Sequence, residues 1–144
     1  MKKIYTPVFV LSFLLLAGCS KDFLKSYDDR IVGTWQITDI NKVGIGGSTS
    51  SLPFRDGSFS FMKDGSMTFT SSSGEVFKGT WDIQKKVMND DNSTVYHSLQ
   101  ISAVNFNTQQ VLGEYYDDIN FTGTNHIKAN IISGAHTYIT HLKR

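Results

Sequence analysis

Apolar residues recur with a period of two along most of this chain, the spacing of strands that bury one face. In residues 31–40, Trp35 and Ile37 fall on one face, with Thr34, Gln36 and Thr38 on the other. Residues 58–63 and 66–71 alternate Phe59/Phe61 and Met67/Phe69 around Asp64-Gly65, a dipeptide that favours a tight hairpin. Residues 75–84 set Phe77, Gly79, Trp81 and Ile83 against Lys78, Thr80 and Asp82, and residues 94–102 put Val95, His97, Leu99 and Ile101 on one side. Three further strands are predicted at about 112–121, 125–132 and 135–142. Between the strands lie a long Gly/Ser-rich loop from Asn41 to Arg55, a Ser71–Gly74 turn, and polar loops at 85–93 and 105–110.

Eight short strands in succession, without a long amphipathic helix, predict an all-β fold: an antiparallel, up-and-down, eight-stranded β-barrel. Closure removes unpaired edges and leaves room inside for side chains or one small ligand. A β-sandwich built from the same strands is the alternative, because periodicity does not show whether the first and last strands pair. Pairing of 31–40 with 135–142 is the expected mark of closure.

The N-terminus follows different rules. Met1-Lys2-Lys3 precedes the apolar run Val8–Leu16, which is too short for a settled membrane span and reads as a secretory signal peptide. The run ends in Leu16-Ala17-Gly18-Cys19, which resembles the lipobox of bacterial lipoproteins. That resemblance implies acylation of Cys19 and cleavage before it. The expected organisation is therefore a signal peptide at 1–18, a lipidated Cys and tether at 19–30, and a β-domain at 31–144. Within the tether, Phe23, Leu24 and Tyr27 have helical spacing, so a short helical turn is expected to cap the domain.

Ile31-Val32-Gly33-Thr34-Trp35, following that segment and opening the meander, resembles the Gly-x-Trp first-strand signature of the lipocalins. The lipobox, the Phe/Asp-Gly hairpin and a second Gly79-Thr80-Trp81 resemble small lipocalin-like lipoproteins of Bacteroidota. The resemblance implies a closed end at which Trp35 packs beneath Arg144 by cation–π contact. It also implies a lid formed by residues 41–55. With Arg144 last in the sequence, a counterpart of the C-terminal helix of lipocalins is not expected.

Composition narrows the function. The 144 residues carry 14 Lys+Arg and 13 Asp+Glu. Losing residues 1–18 removes Lys2 and Lys3 and leaves 12 basic against 13 acidic residues. A chain so balanced lacks the cationic field for nucleic acid. Cys19 is the only cysteine, so its acylation removes thiolate chemistry, disulfides and Cys-ligated metal together. His136 and His141 are an odd number of positions apart on one strand and face opposite ways, and His126 has no spaced partner. The doublets Asp28-Asp29, Asp90-Asp91 and Asp117-Asp118 lack calcium-loop spacing and read as solvated turns. There is no nucleophile elbow or phosphate loop.

No cofactor, metal or catalytic constellation is therefore expected. Phe59, Phe61, Met67, Phe69, Phe77, Trp81, His97, Leu99 and one of Tyr115 or Tyr116 form a candidate apolar cavity. The same side chains equally describe a solid core. His97 is either a polar handle for a ligand or a histidine satisfied by a neighbour. The expected protein is a non-enzymatic lipoprotein of the bacterial outer membrane, held at the bilayer by Cys19 and binding a small hydrophobic ligand. The alternative is a solid barrel that binds another envelope protein.

Overall fold

The computed structural model describes residues 25–88 and 94–144. The signal peptide, Cys19, most of the tether and the Asp90-Asp91 doublet lie outside those residues. Helix α1, Tyr27–Ile31, opens the domain. Ser26 caps it by accepting a hydrogen bond from the Asp29 N–H, and Asp28 and Asp29 lie in the first turn, where the helix dipole favours acids. Among the described residues no helix is long and apolar enough to cross a membrane.

Nine antiparallel strands follow: β1 (Gly33–Gly44), β2 (Ser58–Phe61), β3 (Ser66–Thr70), β4 (Val76–Val87), β5 (Val95–Asn105), β6 (Gln110–Tyr116), β7 (Asp118–Phe121), β8 (His126–Ser133) and β9 (His136–Lys143). They form one sheet in the order β6-β5-β4-β3-β2-β1-β9-β8-β7. The all-β meander expected from the period of two is thus observed, with each predicted strand present near its expected place.

The expected closed barrel of eight strands is corrected. The predicted strand 112–121 is broken at Asp117 into β6 and β7, because the chain changes partner there. Tyr116 is still opposite Leu99 of β5, whereas the next N–H, that of Asp117, donates to the Asn130 carbonyl of β8 at 2.8 Å. The Asp117 carboxylate then accepts from the Ile132 N–H at 2.7 Å. The first and last strands do pair, from Gln36 opposite Lys143 to Gly44 opposite His136. The ladder is open instead between β6 and β7, at a seam where β5 lies against β7 and β6 against β8. Because all nine strands belong to one sheet, the alternative two-sheet sandwich is not formed.

The loop expected at 41–55 also begins later, since Asn41–Gly44 remain in β1 beside β9. A single 3-10 turn at Thr49–Ser51 follows, and Phe54 then inserts among Phe59 and Phe69 with 1% exposure. This segment contributes a core residue from outside the strands. At the Asp64-Gly65 hairpin, Gly65 takes φ +81°, and the Asp64 carboxylate accepts from both the N–H and the hydroxyl of Ser66. Gly79 serves a different need. A Cβ there would run into the Ser102 carbonyl of β5, so only glycine lets the two strands approach.

Candidate functional site

Of the candidate cavity residues, Phe59, Phe61, Met67, Phe69, Phe77, Trp81 and Leu99 all face inward and are buried. They pack on one another. Ring centroids lie 5.4 Å apart for Phe59 and Phe61, 4.9 Å for Phe59 and Phe69, 5.8 Å for Phe61 and Trp81, and 6.1 Å for Phe69 and Phe77. Phe54 adds edge contacts to this stack, so the space between the faces is filled with side chain. The Trp81 indole N–H is satisfied by the Met62 carbonyl at 3.0 Å. Phe69 and Phe77 also reach a cup of about 260 Å³ at the mouth, with Leu112 beside them and Arg55, Asp56 and Glu75 in its walls. Hydrogen bonds from Ser72 hold the Asp56 carboxyl below its ordinary range.

His97 belongs to the opposite end. Its ring stacks on Tyr27 of α1, with centroids 3.6 Å apart and planes 6° from parallel. Burial, aided by the charge of Lys85, lowers its pKa, while burial raises that of the Tyr27 phenol. Tyr27 also meets Phe121 edge-on, so the helix bridges β5 and β7 across the seam. Trp35 is fully buried nearby, its indole N–H donating to the Ile31 carbonyl at 2.6 Å. The Arg144 guanidinium lies 4.4 Å from the Trp35 ring centroid and donates to the carbonyls of Arg30, at 2.7 Å, and Val32, at 2.5 Å. Arg30 covers Phe121 in the same way at 4.2 Å.

Tyr115 and Tyr116 divide as alternation requires. Tyr116 is buried, and burial raises its pKa. Tyr115 faces outward, where the Lys86 ammonium both hydrogen-bonds its hydroxyl and lies 4.9 Å from its ring centroid. Together with a hydrogen bond from Ser98, Lys86 lowers the Tyr115 pKa.

A concavity larger than the mouth cup lies on the outer surface, beside the seam. A groove of about 630 Å³ runs between the β4–β5 hairpin, which supplies Lys86, Val87, Met88 and Tyr96, and the β7–β8 side, which supplies Asp117, Asp118, Asn130 and Ile132. Val87, Met88 and Ile132 are 54%, 59% and 63% exposed. The hairpin forms one wall because β4 and β5 outrun their neighbours. β3 leaves β4 at Thr80, and β6 leaves β5 at Leu99, so both strands continue with only each other for a partner. The polar groups carry both signs, a Lys86 ammonium tied to Tyr115 against the Asp117 and Asp118 carboxylates.

Comparisons with protein families, curated proteins and solved structures give no match. The chemistry of the site must therefore be read from its own residues.

None of the groove residues is singled out as a binding residue by the period of two. Sequence reading treated Asp117-Asp118 as a solvated turn and residues 85–93 as a polar loop, whereas β4 extends to Val87. One clue was available. Ile132 occupies an outward position in a strand whose inward positions are Ile127, Ala129 and Ile131, so its apolar side chain has no core to fill. The position of Tyr27 over His97 had no such clue, because it depends on how α1 folds back on the sheet. Among the described residues no three His, Asp or Glu side chains come together as a metal site.

Proposed function

We propose that this protein is a lipid-anchored, non-enzymatic binding lipoprotein of the bacterial outer membrane, and that its ligand is seated in the groove beside the seam. The anchor rests on the lipobox-like Leu16-Ala17-Gly18-Cys19, and the non-enzymatic, lipocalin-like reading on the motifs around Gly33-Thr34-Trp35. The observation that carries the seat is the contrast between an interior packed ring against ring and an apolar groove of about 630 Å³, within the usual size of ligand sites. Hydrophobic cargo remains the proposed class, seated on the outer face rather than between the inward faces of the strands. The lining suits an amphiphile whose chain lies along Met88, Tyr96 and Ile132, with a zwitterionic headgroup between Lys86 and the two aspartates.

The test is a titration of purified residues 20–144 with a single-chain zwitterionic phospholipid, followed by calorimetry. Binding is expected near one per protein, and Ile132→Asp and Tyr96→Ala should each weaken it at least tenfold at unchanged melting temperature. Equal binding by both variants would remove the groove from consideration. Absence of lipid binding altogether would favour the interaction-module reading, for which the filled interior also speaks, and crosslinking to an envelope protein would then be the measurement.

A further inference from the structure

The β4–β5 hairpin also carries apolar side chains on its inner face, Val87 at the edge of the groove and Val95 clear of it. There Lys85 is opposite His97, and Val87 is opposite Val95, so these four side chains share the face on which Tyr27 is stacked. The Val87–Val95 pair is one step further toward the tip, about 7 Å beyond the Tyr27 stack at strand rise. Nothing described covers it, for Val87 is 54% and Val95 44% exposed, with Met88 beside them at 59%. Exposed valine pairs at the end of a two-stranded ribbon are costly in water.

The position of the chain's own anchor gives this surface a partner. Cys19 precedes Ser26 by seven residues, which span at most about 25 Å when fully extended. Ser26 caps the helix whose first residue, Tyr27, is stacked on this hairpin. An acyl chain on Cys19 would thus enter the bilayer within about 25 Å of the hairpin root. We infer that the inner-face Val87–Val95 pair of the β4–β5 hairpin docks on the lipid bilayer beside the anchor. The inference rests on acylation of Cys19.

Charge is not the driving force. Lys85 and Lys86 on the hairpin are offset by Asp82 on β4 and by Asp90 and Asp91 in the connecting sequence. Asp28 and Asp118 both act on His97 at the root. With the signs balanced, contact comes from apolar burial and requires no anionic lipid.

The experiment uses the full chain, processed in a bacterial host and reconstituted into phosphatidylcholine vesicles. Acylation of Cys19 leaves no other thiol, so Val95→Cys, which lies clear of the groove, can be labelled alone with an environment-sensitive fluorophore. Phe106→Cys serves as the reference, since Phe106 follows the far end of β5 and is 73% exposed. The expected result is a blue-shifted Val95→Cys probe, quenched severalfold more by doxyl-labelled lipid than the Phe106→Cys probe, with no change on raising salt. Equal, weak quenching at both sites, with the mass of the N-terminal peptide showing acylated Cys19, would overturn the docking while leaving the anchor in place. An unmodified Cys19 in that mass would remove the anchor and this inference with it.

Discussion

At the level of single residues, the closed end depends on one terminal side chain. Arg144 covers the Trp35 ring and gives two hydrogen bonds to the carbonyls that end α1 and lead into β1. A cation–π contact and charge-assisted hydrogen bonds at a partly solvated site together contribute on the order of 1–2 kcal/mol. Arg144→Ala is therefore expected to lower the melting temperature by several degrees, and Arg144→Lys to recover only part of that, because an ammonium cannot reproduce the planar fork. Circular dichroism melts of the three proteins check this, and an unchanged Arg144→Ala midpoint would sink it. The identity of Trp35 as an inward anchor was legible from alternation alone. The pairing with Arg144 came from family resemblance, since no periodicity relates residues so far apart in sequence.

At the level of elements, α1 and the β6–β7 corner hold the seam that the ladder leaves open. Tyr27 bridges His97 of β5 and Phe121 of β7, and this stack makes the seam sensitive to pH. Folding lowers the His97 pKa from its ordinary 6.5, so between the two values the unfolded chain binds the proton that the folded chain refuses. Stability is then full above about pH 6.5 and falls as the pH drops through the lowered value. Melting temperature should decline below pH 6.5, and His97→Phe, which keeps the stack, should flatten that decline. A slope that survives the substitution would assign the effect to other groups.

The corner itself depends on Asp117, whose carboxylate occupies the Ile132 N–H where the β7 backbone no longer reaches. Asp117→Ala leaves that donor without its protein partner, at a cost of roughly 1–3 kcal/mol. Amide hydrogen exchange at Ile132 should accelerate markedly while exchange in β1–β4 keeps its order, and Asp117→Asn should restore part of the protection. A uniform acceleration across the sheet would instead mean that the corner is not a local lock. Sequence reading placed a continuous strand over 112–121 because its apolar alternation runs on past the corner. A change of hydrogen-bonding partner leaves no mark in a period of two.

On the scale of the whole molecule, the interior is filled partly from a loop. Phe54 packs on Phe59 and Phe69 and lies next to the mouth cup, which Pro53, Arg55 and Asp56 border. Phe54→Ala should cost about 3–5 kcal/mol, the usual range for a buried phenylalanine, and leave an apolar void beside that cup. Benzene added to the variant should raise its melting temperature and leave the parent unaffected. If both proteins respond alike, the interior already holds usable space and becomes the seat of the proposed ligand binding.

The sequence by itself determined the strand class, the approximate position of every predicted strand and the buried face of the first five. These follow from local alternation, because a side chain's face is set by its parity along the strand. It also determined the charge balance, and its first residues resemble a lipoprotein leader. Only the tertiary structure decided where the ladder opens, that Phe54 and its neighbours fill the core, and that His97 meets Tyr27. It alone placed Lys86, Met88, Asp117 and Ile132 around one groove. Those features join residues far apart in sequence, and they depend on the relative lengths and stagger of neighbouring strands, which no local pattern encodes.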